Sequence, residues 1–404
     1  MKREKTPLVS ITKNKNHTQA VNQVLDNLVF PNLNGKTILL KPNVGREVDP
    51  NLGINTNPEV VMAVFNYLNR KFDARFLMGD SPIIDTDTQK AFEQSGYSDL
   101  LNEEDLRFID LDEKPPLEIE ISNGEILKKV KITGFYNEID YIISIPVLKM
   151  HMHCGVSFSI KNLKGLIYRD NKRRLHHFQN KKILEKYKPF CGQVKELDIA
   201  IADYTQKIYP DLAIIDATYA LGGMGPSSGD MVQMDTIIGS ENPLAADIIA
   251  LAISQPEWSL QDVPHLKILS RRIPESPNSK KDIKTIPENI VNFIYQLEPP
   301  PKSISIKYEN VRLIDIDSCS ACLSTVFQLI KENKEFIDTH FTKDNPLNLA
   351  IGKGITVSDL YENTFLIGNC TYNAHDQGIF IKGCAPVESV ILKNIKNFLD
   401  SLNS

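Results

Sequence analysis

The sequence predicts an α/β protein of two lobes, each a mainly parallel sheet flanked by helices. Three observations carry this. Apolar runs of strand length alternate with segments of helical periodicity, the pattern of strand–helix–strand units. Polar groups recur just after the strand-like runs: Lys41 and Asn43, then Asp80 and Ser81, then Lys149 and His151. Ligands in open parallel sheets bind outside the carboxyl ends of strands. Finally, the proline-rich stretch Leu297-Glu298-Pro299-Pro300-Pro301-Lys302-Ser303 is a stiff break. It divides a first domain, 1–298, from a cysteine-containing second one, 303–404.

The elements follow in order. Residues Pro7 to Lys13 alternate as a short strand, and Thr18 to Leu28 place Ala20, Val21, Val24, Leu25 and Leu28 at helical spacing. Thr37 to Leu40 is an apolar strand ending in Lys41-Pro42-Asn43. Thr56-Asn57-Pro58 opens the next helix, because a hydroxyl or amide before proline is a helix-start signal. Ala74 to Met78 is a strand stopped by Gly79-Asp80-Ser81-Pro82. Residues Asp105 to Ile132 read as an antiparallel excursion. Tyr141 to Ile145 is a strand buried on both faces, which Pro146 ends because proline cannot donate to a sheet ladder. Glu196 to Tyr204 begins a helix, Asp211 to Asp216 is a buried strand, and Pro243 to Ile253 is an apolar helix carrying Asp247. Beyond the break come strands at Val311 to Ile316, Leu347 to Ile351, Thr364 to Gly368 and Ile379 to Lys382. Helices are expected at Ser324 to Asn333 and Val387 to Leu399.

The chain of 404 residues is 42% apolar and 24% charged, with a net charge of -5. That balance is ordinary for a globular protein and argues against general nucleic-acid binding. Basic charge is instead local. Lys149, Lys161, Lys164, Arg169, Lys172, Arg173, Arg174, Lys181, Lys182, Lys186 and Lys188 crowd one segment, opposed by Asp170 and Glu185. Such a patch suits a small anionic substrate or an acidic protein partner. The basic N-terminus lacks an apolar h-region, and no apolar run reaches the roughly 18 residues of a membrane span. A cytoplasmic protein without membrane contact is expected; its oligomeric state is not legible.

The stretch YIISIPVLKMHMHCGVSFSIKNLKGL, residues 141–166, reads as the wall of a binding site. Two imidazoles, a thiol and several ammonium groups follow a buried strand there. The glycine-rich run 222–229, which includes Gly225, is open to two readings: a structural turn, or a loop whose backbone N–H groups approach an anion. It lacks the Gly-Lys-Ser/Thr of a Walker loop.

Four of the six cysteines lie in the last segment. Cys319 and Cys322 form a Cys-x-x-Cys after one predicted strand, Cys370 follows another, and Cys384 a third. Thiolates gathered at one sheet edge suit a metal centre. One close pair joined by two distant single cysteines, flanked by glycines whose N–H groups are free to bond sulfide, favours a 4Fe-4S cluster. Zinc and a dithiol remain the alternatives. Cys154 and Cys191 lie outside this set. Cys154 reads as a small buried hydrophobe, with a reactive thiolate lowered by Lys149, His151 and His153 as the alternative.

Lys41-Pro42-Asn43, Thr56-Asn57-Pro58, Gly79-Asp80-Ser81, Ile145-Pro146 with Lys149 and His151, Lys161-Asn162 with Gly165, Asp216, Gly222 to Gly229 and Asp247 occur in order. In this the chain resembles the family called domain of unknown function 362, from Val9 to about Ile253. The resemblance implies iron–sulfur ligation. Family members commonly carry closely spaced cysteines in an appended ferredoxin-like segment, whereas these four are spread over an α/β segment, which implies one cluster rather than two. The Thr56-Asn57-Pro58 helix start and two α/β lobes are also loosely similar to lactate-racemase-like proteins, whose nickel-pincer histidines are not matched.

The expected function is therefore an iron–sulfur oxidoreductase, of a kind suited to anaerobic metabolism, acting on a small anion in a basic cleft between two lobes. Lys149 and Lys161 are expected to bind the anion and His151 to act as general acid or base. Lys41, Asn43, Asp80, Asn162, Arg169 and Gly225 complete the substrate set, and Cys319, Cys322, Cys370 and Cys384 the metal set. The alternatives are an electron-transfer protein that docks an acidic redox partner through Arg169 to Lys188, an iron–sulfur lyase with an open iron, and a zinc-stabilised protein.

Overall fold

The computed structural model describes residues 6–83, 86–176, 178, 180–300 and 308–402. The chain divides into two compact units: Met1–Gly222 with Asp230–Pro299, and Gly223–Gly229 with Pro300–Ser404. Part of the proline-rich break, residues 301–303, lies outside the described residues.

The larger unit is built on a mixed sheet. Its strands are β1 (Leu8–Lys13), β2 (Thr37–Pro42), β3 (Arg75–Asp80), β4 (Leu106–Asp110), β5 (Leu117–Glu120), β6 (Lys129–Ile132), β7 (Tyr141–Ile145), β8 (Val147–His151), β9 (Gly155–Ser157), β10 (Leu212–Gly222), β11 (Asp230–Ser240) and β12 (Lys284–Ile286). The main order is β12-β1-β11-β10-β7-β2-β3-β4, with β8 pairing β10 and β9. From β10 through β4 the neighbours run parallel, as crossover helices require. β11 lies antiparallel between β10 and β1. Both faces of this sheet are covered. Ile38, Leu40, Ile143 and Ile145 enter one apolar cluster, while Leu39 and Ile142, one residue along, enter the other. Period-2 alternation with both faces buried explains why these strands read as continuous apolar runs. The flanking helices start where amides accept backbone N–H groups: Asn57 caps Pro58–Lys71 and Asn242 caps Pro243–Ser254.

Two local features differ from the sequence reading, and a third settles how one loop is connected. Pro146 interrupts the strand but does not end it: β8 resumes at once, and all five of its residues are buried. The Pro146 carbonyl accepts from Asp216 N at 2.8 Å, so the register shifts and the chain stays in the sheet. β10 runs on to Gly222 and returns through the glycine run as β11, so that run is a hairpin connection, and its residues 223–229 cluster with the smaller unit. Residues 106–110 join the main sheet as β4, and the antiparallel excursion narrows to β5 and β6.

The smaller unit holds a parallel four-stranded sheet, β13 (Val311–Asp315), β14 (Leu347–Ile351), β15 (Phe365–Ile367) and β16 (Ile379–Ile381), in sequence order. The helix after β13 spans Ser320–Glu332, starting four residues before its predicted start, so that Cys319 is its N-cap residue and Cys322 sits in its first turn. The last element among the described residues is the helix Glu388–Leu402.

Two buried carboxyls tie down the segments that carry the polar strand ends. Asp216 accepts from Asn57 N at 2.7 Å, and from Thr218 N at 2.9 Å and Oγ1 at 2.6 Å. Asp247 accepts from Ser159 N at 2.9 Å, Ser159 Oγ at 2.5 Å and Ile160 N at 3.0 Å, fixing the start of the short helix Ser159–Asn162. Burial raises the Asp247 carboxyl to about 7, against those hydrogen bonds. Removing it in Asp247→Ala orphans three donors and is expected to cost about 3 kcal/mol, read from the urea midpoint. Because the folded pKa lies above the free value, the carboxyl's stabilisation is full below pH ~4 and falls as pH rises to ~7. The stability of the wild type relative to Asp247→Asn should therefore decline across that window and level off above it.

Candidate functional site

At the ends of β2 and β3 a fully buried lysine meets a buried aspartate. Lys41 Nζ donates to Asp80 Oδ1 at 2.7 Å, to Asn162 Oδ1 at 3.0 Å and to the Pro42 carbonyl at 3.0 Å. All three ammonium protons are thus used. Asp80 Oδ1 also accepts from Ser81 N, and Oδ2 from Val44 N at 2.9 Å. Asn162 returns two donors, to the Lys41 carbonyl at 3.0 Å and Ser144 Oγ at 3.1 Å. Burial lowers the Lys41 pKa, and Asp80 opposes that. Gly165 lies directly on this pair. A Cβ there would sit 2.0 Å from Asp80 Oδ1 and 2.6 Å from Lys41 Nζ. The glycine is required for close approach rather than for its dihedrals.

A second lysine lies beyond it on β8. Lys149 Nζ donates to Asn43 Oδ1 at 2.6 Å and the Ile54 carbonyl at 2.8 Å. Burial, reinforced by the Lys161 and Arg46 cations, lowers its pKa to about 7. Two residues on, His151 Nδ1 accepts from His153 N at 3.1 Å and Cys154 N at 3.3 Å. Its proton therefore resides on Nε2. Burial first, then Lys161, holds this imidazole well below its ordinary pKa. His153 is likewise lowered to about 3, by burial and by Lys195, Lys161 and Lys164. Lys161, partly exposed and also lowered by burial, is the cation shared by these groups. Lys149, His151, His153 and Lys161 thus form a cationic neighbourhood in which both histidines stay neutral at pH 7.

The remaining expected residues are placed as follows. Arg169 is exposed, with φ 30°, and binds Asp112 through N at 3.1 Å to Oδ1 and Nη2 at 3.2 Å to the carbonyl. Gly225 is buried in the glycine run, its N–H bonded to the Gly223 carbonyl at 2.9 Å. In the basic segment, Lys172 is buried against the Ser81 and Pro82 carbonyls and Asp112, Lys186 pairs with Glu125, and Lys164 meets His176 Nε2 at 2.6 Å. His177 lies outside the described residues. Cys154 is buried and its thiol is pushed up to about 12, by burial and Asp198. The thiolate alternative is thereby corrected: desolvation outweighs the nearby lysines.

In the smaller unit the four cysteines follow strands of one parallel sheet. Cys319 precedes the helix Ser320–Glu332, Cys370 follows β15, and Cys384 follows β16. The Cys322 thiol is hydrogen-bonded with Cys319 and pushed strongly up by Cys319, Cys370 and Cys384 together with burial. Backbone crowding shapes the edge: a Cβ at Gly368 (φ 90°) would sit 3.2 Å from Cys322 Sγ. Asn369 N donates to the Gly383 carbonyl at 2.8 Å, and Gly383 N to Asn369 Oδ1 at 3.0 Å, locking the Cys370 and Cys384 turns together.

Sequence reading missed three buried polar groups near Cys154: Asp198, Tyr204 and His265. Asp198 has a strong local signal, but for another role: its Oδ2 caps the helix Glu196–Thr205 by accepting from Lys195 N at 2.9 Å.

Replacing Lys41 by Met leaves Asp80 buried without its cation and is expected to cost about 3–5 kcal/mol. Gly165→Ala forces its methyl into the same pair and is expected to cost about 2 kcal/mol. Urea midpoints with unchanged m-values check both.

Comparison with known proteins places these residues in a family. The family described as Domain of unknown function (DUF362) matches residues 38–252. The thylakoid-associated protein sll1697 of Synechocystis sp. is 26% identical over 231 residues, covering 57% of this chain and 66% of that protein, just under two thirds of its length. Among solved structures, the lactate racemase apoprotein from Thermoanaerobacterium thermosaccharolyticum aligns with a TM-score of 0.39 at 15% identity, over 58% of this chain and 54% of that one. A structural-genomics protein from Thermotoga maritima aligns with a TM-score of 0.37 at 13% identity, over 59% of each chain. The family match takes in Lys41, Asp80, Lys149, Lys161, Gly165, Asp216 and Asp247 and spans more than half of the chain, which thus belongs to the DUF362 family.

Proposed function

We propose that the protein is an iron–sulfur redox enzyme acting on a small anionic substrate, located in the cytoplasm. The observation that carries this reading is the placement of Cys319 and Cys322 at the start of the helix after β13, Cys370 after β15 and Cys384 after β16, at the carboxyl ends of one parallel sheet. Thiols brought to one sheet edge can exchange their protons for bonds to a metal centre. Cys319, Cys322, Cys370 and Cys384 would hold a 4Fe-4S cluster. Such a cluster supplies single electrons, and ligation by four cysteines leaves no open iron.

The anion reading rests on the larger unit. Lys41, Lys149, Lys161 and Lys172 are all lowered by burial. Lys41 is matched by Asp80 and Lys172 by Asp112, whereas Lys149 has neutral oxygen partners. An anion beside Lys149 and Lys161 would relieve that excess charge. His151, held neutral, would donate a hydrogen bond from Nε2–H to a substrate oxygen and polarise it, its Nδ1 being taken by backbone N–H groups. Asn43 and the Lys41–Asp80–Asn162 network would position the lysines.

Anaerobic purification followed by visible absorption, with iron, sulfide and zinc quantified, tests the cluster. A brown protein with about four iron and four sulfide per chain is expected. A colourless protein with stoichiometric zinc would overturn the redox reading. Sulfate, whose charge is constant near neutrality, probes the anion site. Lys149 carries its charge below about pH 7, so sulfate affinity should fall by about tenfold between pH 6 and 9. Lys149→Ala should weaken sulfate binding and leave the cluster spectrum intact; equal binding by wild type and variant would remove Lys149 from the site.

A further inference from the structure

Cys154, Asp198 and His265 lie far apart in sequence and meet in the interior of the larger unit. Cys154 occupies the turn between β8 and β9, Asp198 the first turn of the helix Glu196–Thr205, and His265 the first turn of the helix Pro264–Arg272. Each is about 1% exposed. One ligand atom from each residue lies within 4.8 Å of the others. Asp198 Oδ1 and His265 Nδ1 are 3.4 Å apart, and neither has a hydrogen-bond partner. Two buried lone-pair-bearing atoms left unmet are costly, and native proteins satisfy such groups.

Their separation points to what satisfies them. A distance of 3.4 Å is too long for a good N–H···O bond, whose range ends near ~3.2 Å. Two ligands of one tetrahedral zinc ion, bound at ~2.0–2.1 Å, stand about 3.3 Å apart. The donor set of thiolate, imidazole and carboxylate also matches that ion's borderline character. We propose that Cys154, Asp198 and His265 bind a divalent transition metal of the zinc class, separate from the four-cysteine cluster and independent of the redox reading.

Charge and second contacts agree. Thiolate and carboxylate carry two negative charges with a neutral imidazole, and a divalent cation balances them. The Cys154 thiol is protonated in the metal-free protein, so binding exchanges its proton for a sulfur–metal bond and releases one proton per metal. Asp198 is pre-oriented by its helix-capping Oδ2. Tyr204 OH, buried and unpartnered, lies close enough to Cys154 to be raised by it, and Cys191 feels Asp198 in the same way. Tyr204 or water can fill a fourth position. The metal would pin the β8–β9 turn to two helices. The same turn sends Cys154 N to His151 Nδ1, so the ion would also hold the His151 ring in place.

Cobalt(II) titration of the full chain under anaerobic conditions tests this, using Cys319→Ser/Cys322→Ser to disable the other centre. One equivalent should bind, with the sulfur-to-cobalt charge-transfer band of a single thiolate. About one proton should be released per metal at pH 7. Adding His265→Gln or Asp198→Asn should weaken binding at least tenfold, and adding Cys154→Ser should abolish the band. If the double serine variant does not fold, the same equivalent is counted by elemental analysis on cluster-loaded wild type against His265→Gln. Absence of that equivalent, or its persistence at full affinity in His265→Gln, would overturn the proposal.

Discussion

An ammonium group buried without water imposes its demands on everything near it. Lys41 is fully enclosed, and the desolvation of its charge is repaid only if a carboxylate and further acceptors are held in good geometry. Asp80, Asn162 and the Pro42 carbonyl meet that demand. Each brings its own element: Asp80 the end of β3, Asn162 the end of the helix Ser159–Asn162, and Pro42 the end of β2. The pair leaves no room for a side chain at Gly165. A motif that reads as scattered polar residues is thus one mutually satisfied network.

Each of the two units concentrates a charge problem of its own. The larger unit gathers lysines whose charge burial opposes, and beside them two histidines kept neutral by burial and by those lysines. The smaller unit holds Cys322, whose deprotonation burial and the neighbouring cysteines oppose. In the proposed function an anion would relieve the first and a cation the second. The Cys154, Asp198 and His265 group repeats the second pattern inside the larger unit, on a smaller scale and with a harder donor set.

Much of this was legible because local chemistry and tertiary position coincide. Strand ends carry the ligands of a parallel sheet, so Lys41, Asp80 and Lys149 could be picked from their place after apolar runs. Cys319, Cys370 and Cys384 follow strands for the same reason. The reading fell short where one residue obeys a nonlocal rule. Pro146 looks like a terminator, yet its carbonyl takes an N–H from β10 and the strand resumes. The glycine run was open to a turn or an anion-binding loop, and only the β10–β11 pairing shows that it joins two strands of one hairpin.

From the sequence alone came the α/β class, the order of elements, the polar strand ends and the clustering of cysteines in the last segment. These rest on periodicity and on residues adjacent along the chain. Tertiary structure alone decided which polar groups are spent on one another: Lys41 on Asp80, Asn162 on Lys41 and Ser144, Asp247 on the turn at Ser159. It also decided that Cys154, Asp198 and His265 meet. No local pattern encodes that meeting, because Asp198 is chosen locally as a helix cap, and His265 faces it only once two helices pack beside the β8–β9 turn. Burial then does what sequence cannot show, setting the Cys154 thiol and the Lys149 ammonium far from their values in water.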